Sequence, residues 1–184
     1  MIDRDSKEVR MPFNYCNLAL KEAEDPYMAI EKFSEAEQAK ISAPTLKCYG
    51  VVFDILGIVP FVKAHGTNPV TGSPLQQVDL VKLTFHRNDE GQIHCPVTYK
   101  PLTISSHVIA IKESGNVFSY EAYQELNREA KNYRDLLTDE PFDPKGVVLI
   151  NDPKWVFKRQ KSAALKSKDA FINQSLYSKV QKEG

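Results

Sequence analysis

The sequence has few residues that could bind a metal or build a disulfide framework. Its 184 residues include three cysteines and four histidines, and no two cysteines are spaced Cys-x-x-Cys. A cross-braced domain needs four ligands for each of two zinc ions, one more than these seven residues supply. We therefore expect no metal site of that kind. An odd number of cysteines also argues against a disulfide framework and is typical of a reducing compartment.

Charge of one sign and long apolar runs are missing as well. Lys and Arg together number 24, as do Asp and Glu, so the net charge is zero. Electrostatics alone therefore predict neither a membrane surface nor a nucleic acid as partner. No apolar run approaches a membrane span, and the first seven residues lack a signal-peptide core. With 42% hydrophobic and 26% charged residues, the composition indicates a globular protein.

The common catalytic motifs are missing too. The chain contains no G-x-G-x-x-G, G-K-[ST], H-E-x-x-H or G-x-S-x-G. His94 and Cys95 could suggest a thiol beside its base, but neighbours on a strand point to opposite faces. That favours a structural cysteine and a surface histidine. The acidic pair Asp139 and Glu140 precedes Pro141, which favours a solvated turn. We predict no catalytic residue and no cofactor.

An internal repeat organises what is present, because four landmarks occur twice in the same order. The paired segments are 16–18 with 95–97, 50–54 with 115–119, 71–75 with 138–142, and 80–83 with 147–150. The first copy is longer, and its excess falls in the acidic residues 21–42. We expect this insertion to be solvated, with a short exposed helix over residues 23–40. The alternative is a segment that docks a partner.

Each copy predicts a β-hairpin followed by a helix. Gly50 and Gly115 can supply the positive φ of a hairpin turn. Asp54 and Ser119 follow at equivalent places and are good N-caps. The predicted helices cover residues 55–64 and 120–133. Since a single copy would have a small core, we expect two copies packed together.

The chain thus divides into a mobile N-terminus (1–10), a first module (11–90), a second module (91–152) and a basic tail (153–184). Residues 151–184 contain eight Lys or Arg and three Asp or Glu. We expect this segment to be extended on its own and to become ordered only on a partner. The predicted partner-binding residues are Trp155, Phe157, Phe171 and Tyr177. RNA contact by the tail is a weaker alternative.

The order of these motifs resembles one family, the U-box cyclophilins, or peptidyl-prolyl isomerase-like two proteins. The segments that carry the resemblance are PFNYC (12–16), GVVFDILGIVP (50–60), HGTNP (65–69), HCPV (94–97), GNV (115–117) and AKNYRDLLTDEPF (130–142). The resemblance implies an α+β fold with two tandem U-box modules. A U-box is similar to a RING domain in which hydrogen bonds, ion pairs and core packing replace the zinc ions.

The resemblance also implies a function. Members of the family are nuclear proteins of the spliceosome, so we expect a scaffold that binds spliceosomal proteins. The family pairs its U-box region with a cyclophilin domain that these 184 residues lack, and isomerase activity is not expected. The alternative is an active ubiquitin ligase that acts by proximity. A ubiquitin-conjugating enzyme would then dock on Leu18, Phe61 and Pro69.

Two further expectations concern the second module and metals. The matching surface of the second module consists of Val97, Leu126 and Leu137. This surface could contact the first module instead of an enzyme, and we treat the second module as structural. A third function, a metal-binding module, is disfavoured by the number of available ligands.

Overall fold

The computed structural model describes residues 11–155. These residues divide into two compact units that alternate along the chain. The helix unit consists of residues 14–31 and 50–83, and the sheet unit of residues 11–13, 32–49 and 84–155. The units do not coincide with the predicted modules, because residues 32–49 of the first module group with the later part of the chain.

The elements are short. The strands are β1 (Pro26–Lys32), β2 (Cys48–Asp54), β3 (Val81–Lys82), β4 (His86–Arg87), β5 (Ile93–His94), β6 (Val108–Ile111), β7 (Val117–Ser119) and β8 (Val147–Asn151). The α-helices are α1 (Glu35–Gln38), α2 (Ile55–His65) and α3 (Tyr120–Tyr123). Tighter or wider helical turns cover Gln77–Asp79, Gln124–Arg128 and Pro144–Gly146. Within residues 11–155, no helix is long and apolar enough to cross a membrane.

The helix unit is organised around α2. The Asp54 side chain caps this helix by accepting a hydrogen bond from the Leu56 amide at 3.1 Å. Ile58 and Phe61 face the core, and Gly66 ends the helix with a φ of 65°. The helix predicted over residues 55–64 is therefore confirmed, and it ends one residue later.

The insertion differs from its prediction. It contains β1 and the single-turn helix α1, not a helix over residues 23–40. Met28 and Ala29 are fully buried, and Met28 lies opposite Val81 in an antiparallel pair with β3. Apolar residues in direct succession can bury both faces of a strand, whereas an exposed helix would leave them in water.

The sheet unit has the strand order β2-β8-β6-β7, to which β2 contributes its first residues. Tyr49 lies opposite Leu149 in a parallel pair, and β8 and β7 both run antiparallel to β6. Gly115 supplies the predicted hairpin turn before β7 with a φ of 74°. Gly50, by contrast, lies inside β2, so the hairpin turn predicted there is wrong.

The second predicted helix is shorter than residues 120–133. It begins as predicted, with the Ser119 hydroxyl accepting a hydrogen bond from the Ala122 amide at 3.2 Å. After α3 the helix widens into a π-helical turn over Gln124–Arg128 and then ends. Asn127 then turns the chain, because its amide nitrogen donates to the carbonyl oxygens of Asn132 (2.7 Å) and Arg134 (2.8 Å). Lys131, with a φ of 52°, could not continue the helix.

The start of the predicted tail is packed against the sheet unit. Asn151 ends β8, and buried Asp152 accepts hydrogen bonds from the Ser42 amide (2.7 Å) and hydroxyl (2.8 Å). The Trp155 ring lies 5.0 Å from that of Phe33 and 5.2 Å from that of Tyr49. For residues 151–155 the prediction of a free, extended segment is therefore wrong. Phe157, Phe171 and Tyr177 lie outside the described residues.

Candidate functional site

Each repeat begins with a tight loop after a buried cysteine. In the first, the Cys16 amide donates to the Lys21 carbonyl at 2.7 Å and the Leu20 amide donates to the Cys16 carbonyl at 2.8 Å. In the second, the corresponding bonds join Cys95 with Lys100 at 3.0 Å and Tyr99 with Cys95 at 2.8 Å. The paired segments found in the sequence therefore have the same backbone hydrogen bonds. We call these loops, residues 16–21 and 95–100, the cysteine loops.

Both cysteine loops hold a large exposed side chain in an unusual conformation. Leu20 has a φ of 62° and is 50% exposed, and Tyr99 has a φ of 61° and is 72% exposed. The left-handed region is unfavourable for side chains of this size, and glycine or asparagine usually occupies it. Such residues persist where the surrounding structure fixes them, and they concentrate at functional sites.

A second pair of loops follows each helix. In residues 67–74, the Asn68 amide donates to the Ser73 carbonyl and the Gly72 amide to the Asn68 carbonyl, both at 2.8 Å. In residues 134–141, Asp135 and Asp139 take the places of Asn68 and Gly72, again with two bonds of 2.8 Å. We call these segments the proline loops, because each ends in a proline. These matching hydrogen bonds show that the second half of the sequence repeat is also repeated in the structure.

In the second proline loop one buried carboxylate, Asp135, holds the structure. Oδ1 accepts from the Leu137 amide (2.8 Å) and the Thr138 amide (3.1 Å), and Oδ2 accepts from the Ser114 hydroxyl (2.5 Å) and the Asn116 amide nitrogen (3.1 Å). Burial of the carboxyl opposes its ionisation, but these hydrogen bonds outweigh that effect and lower the pKa of Asp135.

In the first proline loop a neutral amide takes that place. Asn68, fully buried, accepts from the Val70 amide at 2.9 Å through its side-chain oxygen. Its amide nitrogen donates to Glu31 at 2.9 Å, and the Thr71 hydroxyl donates to the same carboxylate oxygen at 2.8 Å. Both proline loops are thus held by side-chain hydrogen bonds.

Among residues 11–155, no group of three or more His, Cys, Asp or Glu is placed to bind a metal ion.

The three cysteine thiols are free and buried, and their side chains pack in the interior. Cys16 and Cys95 are fully buried. Burial raises the pKa of the Cys48 thiol to about 11, which keeps it protonated. For Cys95, burial acts in the same direction, but hydrogen bonds with Ser119 and Thr98 outweigh it and lower the pKa. Because its sulfur has no exposed surface, Cys95 cannot serve as an accessible nucleophile in this conformation.

The three residues predicted to contact a conjugating enzyme do not form an exposed patch. Leu18 is 9% exposed and Phe61 is 7% exposed, and Pro69 is also buried. The Phe61 ring instead lies 4.6 Å from that of His65. In the second module, Leu126 and Leu137 are 44% and 45% exposed, whereas Val97 is half-buried.

Among residues 11–155, six large apolar side chains are exposed. In the helix unit they are Leu20, Leu56 and Val78, and in the sheet unit Tyr99, Leu126 and Leu137. Leu20 and Tyr99 were not among the residues predicted from the sequence to make contacts. A signal for them is present, since each stands four residues after a cysteine and directly before a lysine, as CNLALK and CPVTYK.

Curated proteins from fungi, animals and plants are similar to this chain over most of its length. It is 40% identical over 153 residues to a peptidyl-prolyl cis-trans isomerase-like 2 of Rhizopus delemar, and 40% identical over 149 residues to a peptidyl-prolyl cis-trans isomerase 4 of Caenorhabditis elegans. It is 41% identical over 156 residues to the isomerase CYP65 of Arabidopsis thaliana. These matches cover 83%, 81% and 82% of the chain but 25%, 25% and 23% of the relatives. No protein-family model matches the chain.

Proposed function

Since the chain is a homologue of the peptidyl-prolyl isomerase-like 2 proteins, we propose that it is a nuclear protein-binding scaffold of pre-mRNA splicing, built from two U-box modules. About 40% identity over 83% of the chain carries this proposal. The chain spans only about a quarter of the length of these relatives. The isomerase activity in their names is therefore not part of the proposal.

The two pairs of loops support the U-box assignment. Each repeat has a cysteine loop, a capped helix and a proline loop, and side-chain hydrogen bonds to Asn68 and Asp135 hold the proline loops. Where such bonds replace metal ions, the polar groups at the centre of each loop must be both buried and paired. Asn68 and Asp135, both at least 97% buried, meet that requirement.

Exposed apolar anchors support binding over catalysis. Protein interfaces concentrate their energy in a few apolar or aromatic residues, and each unit offers such residues to solvent. Leu20 and Val78 are exposed on the helix unit and Tyr99 on the sheet unit. We propose that spliceosomal proteins dock on these residues and that Phe157, Phe171 and Tyr177 of the tail contribute further contacts.

The test is affinity purification of the tagged full chain from nuclear extract, followed by mass spectrometry and RNA analysis. We expect splicing proteins and small nuclear RNAs to be enriched over a tag-only sample. Val78→Asp and Tyr99→Gly, one exposed change on each unit, should each reduce a different subset of partners. No enrichment of splicing proteins or small nuclear RNAs would contradict the proposal.

A second candidate function, ubiquitin ligation, is favoured by one observation. Leu20 lies in the same loop as the predicted contact Leu18 and is 50% exposed. A conjugating enzyme could dock there while Leu18 and Phe61 remain in the core. We expect weak autoubiquitination at best across a panel of conjugating enzymes, with Leu20→Ser lowering it and Val78→Ser, the matched control, leaving it unchanged. Activity that survives Leu20→Ser would rule out this docking site.

A further inference from the structure

Of the eleven prolines in the chain, only Pro74 follows a serine or a threonine. This serine, Ser73, lies in the first proline loop and is partly exposed, and Gly72 and Pro74 on either side of it are exposed. The fold uses its amide, which donates to the Thr71 hydroxyl at 3.3 Å. Within the part of the chain that the structure describes, the Ser73 hydroxyl forms no hydrogen bond, and it is not closed off from solvent. Solvent therefore reaches a hydroxyl group that the loop does not need.

The backbone that follows Ser73 is extended. Pro74 lies opposite Thr67 in an isolated antiparallel bridge, and Gln76 has a φ of −111° and a ψ of 159°. Residues 72–76 belong to no helix or strand. An extended segment is a form in which a peptide can enter a binding cleft, such as that of a protein kinase. The loop therefore presents Ser73 without having to unfold first.

The second proline loop has a carboxylate at the position equivalent to Ser73. This residue is Glu140, which is exposed and also precedes a proline. In each loop the carbonyl at this position accepts a hydrogen bond of 2.8 Å from the amide of the residue at the loop centre. The Glu140 amide donates to the Thr138 hydroxyl at 3.3 Å, as the Ser73 amide does to the Thr71 hydroxyl. The conformation of the loop is therefore compatible with a negative charge at this position.

Charges of both signs lie near this segment in the helix unit. Lys63 and His65 are exposed in the last turn of α2, and the glycine that ends this helix accepts a hydrogen bond of 2.9 Å from the amide two residues after Ser73. A phosphate on Ser73 would be attracted by Lys63 and by His65 when it is protonated. Glu31 acts in the opposite direction, because its carboxylate accepts two hydrogen bonds from the same loop. Since these influences oppose each other, we expect a phosphate to change the stability of the loop little.

We propose that Ser73 is a phosphorylation site for a proline-directed protein kinase. The Ser73 hydroxyl oxygen attacks the γ-phosphorus of ATP and forms a new oxygen–phosphorus bond. The bond between that phosphorus and the oxygen that bridges it to the β-phosphate breaks, and ADP leaves. The hydroxyl proton passes to the catalytic base of the kinase. The first proline loop then has a negative charge where the second has Glu140.

Phosphorylation would change the surface that the helix unit offers to a partner. Val78, five residues after Ser73, is 85% exposed and is one of the docking residues proposed above. A phosphoserine adds a charge of about −2 at pH 7. It should therefore weaken the docking of an acidic partner on this segment and strengthen that of a basic one. The phosphorylation site itself does not depend on a role in splicing, and its test is separate from the purification described above.

The test is incubation of the folded full chain with a purified cyclin-dependent kinase and ATP, followed by mass spectrometry of the intact chain and of its peptides. We expect a single phosphate on Ser73 and none in Ser73→Ala. A peptide of residues 66–80 is the unfolded reference. Because the segment is already extended, the folded chain should be modified at a rate within about tenfold of the peptide. Modification of the peptide but not of the folded chain would overturn the proposal, and so would a phosphate that persists in Ser73→Ala.

The second proline loop provides a matched control. Glu140→Ser gives it the same Ser-Pro dipeptide, so in combination with Ser73→Ala this change should restore phosphorylation, now at position 140. No phosphate at position 140 would show that the loop geometry does not present the site, which overturns the proposal. Ser73→Glu should shift the melting temperature of the full chain by less than about 3 °C, because the equivalent position already holds a carboxylate. A larger loss would mean that the first loop does not tolerate the charge and would also contradict the proposal.

Discussion

The two proline loops follow the same backbone path, yet different side chains hold them. In the first, the neutral amide of Asn68 bonds to the loop, and Glu31, from another segment, bonds to Asn68. In the second, the carboxylate of Asp135 bonds to the loop amides, and Ser114 and Asn116, from another segment, donate to it. The same loop geometry can thus be held by a charged residue of the loop itself, Asp135, or by a neutral loop residue, Asn68, whose charged partner Glu31 lies on another segment. The two loops should therefore respond differently to substitution and to pH.

The helices of the two repeats provide the largest expected contrast. Phe61 is buried in α2, whereas Leu126, its counterpart after α3, is 44% exposed. Phe61→Ala should lower the free energy of unfolding by about 3–5 kcal/mol, because a large ring leaves the core. Leu126→Ala should change it by less than about 0.5 kcal/mol. Urea unfolding of both variants checks the contrast, and similar losses would mean that Leu126 is also part of a core.

The next contrast compares the two loop centres. Asp135→Ala removes four hydrogen bonds to a carboxylate and leaves the buried Asn116 amide without this acceptor, so we expect a loss of about 3 kcal/mol. Asn68→Ala removes the bond from the Val70 amide and the bond to the Glu31 carboxylate, fewer than at Asp135, and should cost about 2 kcal/mol. Asp135→Asn and Asn68→Asp, measured by the same urea unfolding, test whether the two centres are interchangeable. An equal or larger loss at Asn68 would contradict the comparison.

A smaller difference is expected in how the stability contributed by each loop depends on pH. The folded-state pKa of Asp135 is lowered, so its contribution is fully present above its unfolded pKa, about 3.9, and is lost as the pH falls through the lower folded value. Thermal unfolding between pH 6 and pH 2.5 should show this loss below about pH 4. Asp135→Asn should be less stable at pH 6 but should have a shallower acid slope. Equal slopes would mean that Asp135 does not carry the acid response.

Metal removal should have no effect on either repeat. Since hydrogen bonds hold both proline loops, EDTA should leave the melting temperature of the full chain unchanged, and added zinc should not raise it. Differential scanning fluorimetry with and without chelator measures this. A drop with EDTA that zinc restores would show that a metal holds at least one of the repeats.

Local signals in the sequence predicted the parts of the fold that depend on nearby residues. Asp54 and Ser119 were identifiable as N-caps because they precede apolar helical stripes. The positive φ of Gly115 was predictable in the same way. The insertion was not, because the acidic residues around β1 suggested a solvated helix, whereas burial of Met28 depends on a strand more than 50 residues later.

The candidate site was predicted in outline but not in its surface residues. The cysteine and proline loops could be located by their repeated motifs. Which apolar residue of a loop faces solvent depends on its φ. The shared spacing of Leu20 and Tyr99 after a cysteine marks the two positions as equivalent, but it does not indicate their positive φ. The partners of Asn68 and Trp155 were equally hidden, because Glu31 and Phe33 lie far from them along the chain.

The hydrogen bonds between Ser42 and Asp152 can form only after the chain between them has been synthesised. The two residues are 110 positions apart, and strand β2, which begins six residues after Ser42, pairs with β8 just before Asp152. At 5–20 residues per second, a ribosome needs about 5–20 s to make the intervening chain. Throughout that time β2 has no β8 to pair with. The newly made chain therefore exposes the edge of this apolar strand that pairs with β8 until β8 emerges.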